Sequence, residues 1–102
     1  MTVQETLNDR EAVYGDYQTT AICSQSIKGY MRQSYKWPGM RLVLNESLDM
    51  IAVKLARILT GDPNHVDTWH DIAGYAQLAA DYIEKMENEE KADGAVEETQ
   101  PG

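Results

Sequence analysis

Cysteine, basic surplus, long apolar runs and strand patterns are scarce or missing in this chain of 102 residues, and each absence closes off a class of protein. The single cysteine, Cys23, cannot form an internal disulfide, so the reducing cytoplasm is the simplest home. Nine Lys and Arg stand against 17 Asp and Glu, leaving a formal net charge of −8 and no basic surface to displace counterions from a nucleic acid. No stretch approaches the length that spans a bilayer, and the start MTVQETLNDRE lacks the basic-then-apolar pattern of an export signal. Alternating β-branched runs are absent, which removes strands. A glycine-rich phosphate loop, a nucleophile elbow, a paired-cysteine metal site and a zinc motif are also missing, and nothing beyond its presence marks Cys23 as a nucleophile.

What is present is helical periodicity. Residues 2–12 predict a short helix in which Thr2 and Glu5 have the spacing of a capping box. Tyr14-Gly15-Asp16-Tyr17 breaks it, with Asp16 a good cap for a second helix from Tyr17 to about Ser34. That helix ends in a small basic patch, Lys28, Arg32 and Lys36, placed well for a helix C-terminus or for an anionic ligand. Trp37-Pro38-Gly39 reads as a turn. A helix over 41–60 follows, then the turn Thr60-Gly61-Asp62-Pro63-Asn64, then a helix from Asn64–Asp67 to about Asn88.

At about 100° per residue, Leu44, Leu48, Ile51, Leu55 and Leu59 form one stripe of the first of these two helices, and Trp69, Ile72, Ala76, Ala80 and Ile83 form one stripe of the second. Both stripes are expected to be core, with Glu46, Asp49, Lys54 and Arg57 facing Asp67, His70, Asp71 and Gly74 from adjacent antiparallel helices. The expected fold is an all-α bundle built on a helical hairpin. A domain this small buries little of its surface, so a homo-oligomer is expected to complete it. The domain is placed at residues 1–86, and the acid-rich residues 87–102 are expected to be a flexible tail.

The charged faces carry the candidate chemistry. Met50 and Val53 interrupt Glu46, Asp49, Lys54 and Arg57, as in the wall of a cleft. Asp67 and Asp71 are like charges one turn apart, an arrangement that asks for compensation by a metal ion, by Lys54 or Arg57, or by the positive end of their own helix. Asp67 also reads as an N-cap. His70 lies beside both as a candidate general base, and His65 in the turn is the weaker histidine. Gly74 inside a helix points to close approach by a neighbour. Tyr14, Tyr75 and Trp37 offer stacking surfaces for a base, or simply close a core.

At Tyr14-Gly15-Asp16, then Glu46-Ser-Leu-Asp49-Met-Ile-Ala-Val-Lys54-Leu-Ala-Arg57, then Asp67-Thr-Trp-His70-Asp71-Ile-Ala-Gly74-Tyr75, the chain resembles small proteins encoded by bacteriophages and prophages. Those proteins are similar to distant relatives of the all-α nucleoside triphosphate pyrophosphohydrolases of the MazG type, and the resemblance covers roughly residues 8–86. In that wider family acidic pairs on two helices hold magnesium, which bridges the phosphates of a nucleotide and activates water. The resemblance implies metal ligation by Glu46, Asp49, Asp67 and Asp71, phosphate binding by Lys54 and Arg57, and water positioning by His70. The first acidic motif lacks its extra glutamate, the second reads Asp-x-x-His-Asp instead of Glu-x-x-Asp, and two cations intrude on the acidic face.

Two functions are therefore expected. One is a magnesium-dependent nucleoside triphosphate pyrophosphohydrolase in the cytoplasm of an infected bacterium. The other is a non-catalytic module that sequesters a nucleotide-derived signal, or docks on a host protein, to counter bacterial defence. A purely structural alternative has Lys54–Asp71 and Arg57–Asp67 as ion pairs that fix the hairpin register.

Overall fold

The computed structural model of the chain describes residues 2–93. Within them it is an all-α bundle of α1 (Val3–Tyr14), α2 (Tyr17–Arg32), α3 (Leu42–Thr60) and α4 (Val66–Asp93), with a 3-10 turn at Trp37–Gly39 between α2 and α3. The starts follow the sequence signals closely. Thr2 caps α1 in a reciprocal box with Glu5, and the Asp16 carboxylate accepts the Thr19 amide at 3.0 Å to open α2. α4 runs on through 87–93, part of the stretch expected to be tail, because its glutamates and lysines are good helix formers and Arg41 holds Glu90 at 3.2 Å. Residues 94–102, the rest of the expected tail, lie outside the described residues. No helix among the described residues is long and apolar enough to cross a membrane.

α2, α3 and α4 lie side by side as one layer, with α3 in the middle. On α3 the side toward α2 is marked by Asp49, both of whose carboxylate oxygens accept from Arg32 Nη2 at 3.0 Å, and by Thr60, whose hydroxyl meets that of Thr20 at 2.7 Å. The side toward α4 is marked by Lys54, 3.0 Å from Asp71. α4 meets α3 along Thr68, Ile72, Tyr75, Ala79, Tyr82 and Met86, buried or half-buried at alternating four- and three-residue steps, the spacing of a coiled-coil seam.

These seams correct the expected core. Leu48, Leu55 and Leu59 fall about midway between the α2 side and the α4 side of α3, so the helix packs on both flanks and leaves them open, Leu59 at 71% exposure. The buried α3 residues are the small or polar Asn45, Ser47, Ala52 and Ala56, which let the backbones approach. On α4 the expected stripe is likewise displaced: Trp69, Ala76, Ala80 and Ile83 are exposed, and of that stripe Ile72 alone joins the seam. The buried apolar residues among those described are Ala52, Ala56 and Met86. Gly74 has open space where a Cβ would stand, so the expected close approach does not occur there.

It occurs instead between the two turns. Gly15 has φ +87°, and a Cβ on it would strike the Thr60 carbonyl oxygen; a Cβ on Gly61 would strike the Val13 carbonyl oxygen. The Asp62 amide donates to that same Val13 oxygen at 2.8 Å. This backbone-to-backbone crossing seats the end of α1 on the end of α3. Gly61→Ala is therefore expected to destabilise the chain by about 2 kcal/mol or more, from displaced backbone and the loss of the hydrogen bond between half-buried Asp62 and Val13. In thermal unfolding that is a fall of roughly 10 °C for a domain of this size, while Gly74→Ala in its open helical site should be neutral or slightly stabilising.

Candidate functional site: a cleft around Tyr14

The crossing of the turns delivers Tyr14 to the centre of a cleft of about 500 Å³ formed by α1, the start of α2 and one flank of α3. Two guanidinium groups lie over its ring, Arg10 at 5.4 Å and Arg57 at 4.7 Å from the centroid. His65 meets the ring edge-on, with centroids 5.7 Å apart and planes at 87°. Arg10 stands one turn before Tyr14 on α1, while Arg57 reaches it from α3. Neither arginine is paired with a carboxylate among the described residues. Gln4, Ser24 and Gln25 add neutral hydrogen-bonding groups to the lining, and Tyr17, 86% exposed, stands at the mouth. The positive end of α2 also opens here, but its capping position is already filled by Asp16, so the positive charge of the cleft is that of the two arginines, with the Glu11 carboxylate also on its wall.

The other residues expected to act together are dispersed. Asp49 is held by Arg32, Asp71 by Lys54, and Asp67 stands exposed 4.0 Å from His65. Glu46 lines a separate open groove of about 440 Å³ with Tyr75, so Tyr14 and Tyr75 do not share a pocket. His70 is exposed on α4. Among the described residues no three His, Cys, Asp or Glu side chains gather where a metal could be held. Magnesium needs several oxygen ligands converging on one point. With Asp49 and Asp71 each turned to a cation, these residues do not fit it.

Of the two register pairs considered, Lys54–Asp71 is formed, with the lysine side chain only 12% exposed. Arg57 turns instead to Tyr14, away from Asp67. Arg10 is the site residue that the sequence reading missed, although an arginine four residues before a tyrosine on one helix is a legible pairing.

Asp16, at the cleft rim, has a lowered pKa. The Thr19 amide, and after it the Thr19 hydroxyl at 2.9 Å, hold its carboxyl below the ordinary aspartate value. A carboxyl depressed in the folded state adds stability at pH values above the unfolded-state pKa, about 3.9, and loses it as the pH falls through the lower folded value. Asp16→Asn keeps a capping side chain but does not titrate. Its acid unfolding curve below about pH 4 is expected to be flatter than that of the unaltered chain, and superimposable curves would show that the cap contributes nothing to acid sensitivity.

No curated protein and no solved structure matches the chain. A family model described as a domain of unknown function, DUF6378, matches residues 2–83, most of the helical bundle and all of the cleft. The chain belongs to that family.

Proposed function

We propose that the chain captures a phosphorylated aromatic ligand of the nucleotide class in the Tyr14 cleft and releases it chemically unchanged. One observation carries this reading: two guanidiniums without carboxylate partners, in a chain of net charge −8, converge on an aromatic ring that lines a cleft. Arginine's planar fork matches a phosphate in two hydrogen bonds, and the same guanidinium stacks on π faces. Tyr17, exposed at the mouth, supplies ring surface for a base, with Gln4, Gln25 and Ser24 available to its polar edge, while the Tyr14 ring holds the two arginines. Capture is favoured over hydrolysis because, of the four carboxylates that would hold magnesium, Asp49 and Asp71 are tied to Arg32 and Lys54, and Glu46 lines a separate groove.

In this proposal the protein is a phage-encoded, MazG-like binding module at work in the host cytoplasm, and sequestering a nucleotide-derived signal is how it counters bacterial defence. The support is the sequence resemblance through Tyr14-Gly15-Asp16 and the α3 and α4 motifs. The working unit is proposed to be a homo-oligomer, because one chain buries so few apolar side chains.

Isothermal titration with nucleoside triphosphates and cyclic nucleotides, with and without magnesium, followed by chromatography of the mixtures, tests the capture. Binding that does not need magnesium and returns the ligand intact is expected. Arg57→Ala and Arg10→Ala should each weaken it roughly 10- to 150-fold, the loss of a charged hydrogen bond of about 1.5–3 kcal/mol. Asp67→Asn should bind as the unaltered chain does. Released pyrophosphate would overturn capture in favour of hydrolysis, and absence of heat with every ligand would remove the nucleotide reading and leave host-protein docking.

A further inference from the structure

The open face of the helical layer has no occupant among the described residues. Along α3 it carries Leu48, Leu55 and Leu59, with exposures of 36%, 36% and 71%. α4 contributes its flank Trp69, Ala76, Ala80 and Ile83, and this flank lies on the same side as the leucines. The opposite flank of α4 settles the assignment: Leu78, Asp81 and Lys85 line a groove with Glu46, which is on the far side of α3 from Leu48. From α2, Tyr30 and Met31 join Leu48 around an apolar hollow with Trp37 and Met40. Trp69 is pinned at the edge, its indole N–H donating to the Pro63 carbonyl at 2.8 Å with half the residue exposed.

The face runs about 24 Å along α3 at 1.5 Å per residue, and three helices set about 9 Å apart make it about 28 Å wide. That is on the order of 650 Å² in projection and more as accessible surface, close to the roughly 800 Å² per partner that a stable interface buries. Monomers seldom leave so large an apolar patch in water.

The charge pattern selects the occupant. In a chain where a quarter of the residues are charged, none of the charges falls on these flanks from Leu44 to Leu59, from Trp69 to Ile83 or from Cys23 to Tyr30. A basic protein would be met by acids, and an anionic membrane by lysines or arginines; neither lies on these helical flanks, and the guanidinium over the Trp37 ring, that of Arg32, is neutralised by Asp49. A second copy, itself at −8, can approach closely only through a surface free of charge.

We propose that this face pairs with its own copy about a two-fold axis, α3 and α4 of each chain covering the leucines of the other. The assignment rests on the proposal that the chain self-associates, and it places the two Tyr14 clefts on the outer surfaces, because Arg57 and the leucines occupy opposite sides of α3.

Light scattering of the eluting full chain is expected to give about twice its 11.5 kDa mass. Leu55→Glu and Leu59→Glu should each give the mass of one chain with helical circular dichroism retained; Leu59 is so exposed that its replacement cannot unfold the single chain by loss of packing. Leu78→Glu, on the other flank, should leave the dimer intact. A single-chain mass for the unaltered protein overturns self-association and the face together. A dimer that survives both Leu55→Glu and Leu59→Glu, or that falls apart in Leu78→Glu, overturns the face alone.

Discussion

Two glycines in contact hold the molecule's parts in register. Gly15, at a positive φ, and Gly61 bring the backbone of the α1–α2 turn against that of the α3–α4 turn, and the bond from the Asp62 amide to the Val13 carbonyl closes the crossing at 2.8 Å. α1 has no buried side chain among its residues, so this contact does for it what a hydrophobic stripe does for other helices. Any side chain at either glycine would meet backbone, which cannot turn aside as a flexible side chain can. The position of Tyr14 relative to Arg57 and His65 follows directly, since Tyr14 is the last residue of α1 and the other two flank the second turn.

The helices themselves were legible. Capping at Thr2 and Asp16, the Trp37-Pro38-Gly39 turn and the stop at Gly61 each act through local chemistry that a sequence displays, and each falls where expected within a residue or two. The core was not legible, because a leucine stripe marks the face that must leave water and does not name what it meets. On α3 the partners inside the chain are reached through Ser47, Ala52 and Ala56, whose value is their small size, and size complementarity between helices is a tertiary property. The end of α4 was misjudged for the opposite reason. Composition registered the want of apolar residues after Met86 but not the ion pair from Arg41 that steadies that turn.

The charged residues divide in the same way. Spacing set Asp49, Lys54 and Arg57 on α3 opposite Asp71 on α4, and of the compensations considered for Asp71 the one formed is the pair with Lys54. Lys54 and Asp71 cross-link the hairpin, and Asp49 is taken by Arg32 from a helix that no pattern within α3 could reveal. Arg57 forms no ion pair among the described residues, and the turn crossing offers it the Tyr14 ring at 4.7 Å instead. A guanidinium on an aromatic ring keeps its in-plane donors free, whereas one clamped by a carboxylate has spent them. That difference is the physical basis for assigning the anion to this cleft.

α3 is thus asked to serve four directions at once: α2, α4, the cleft and the open leucine face. A single layer of helices has no interior of its own, so its two broad surfaces are both available to other molecules. On one of them Arg57 and Val53 look into the Tyr14 cleft; on the other Leu48, Leu55 and Leu59 look into water. Apolar burial stabilises by roughly 25 cal/mol per Å² removed from water, and the leucine face is where most of the apolar surface left uncovered on α3 lies. Covering it with a second copy would stiffen α3 along its whole length, and with it the helix that carries Arg57, without touching a residue of the cleft. In the proposed assembly stability comes from one side of α3 and recognition from the other, so a substitution on either side separates the two.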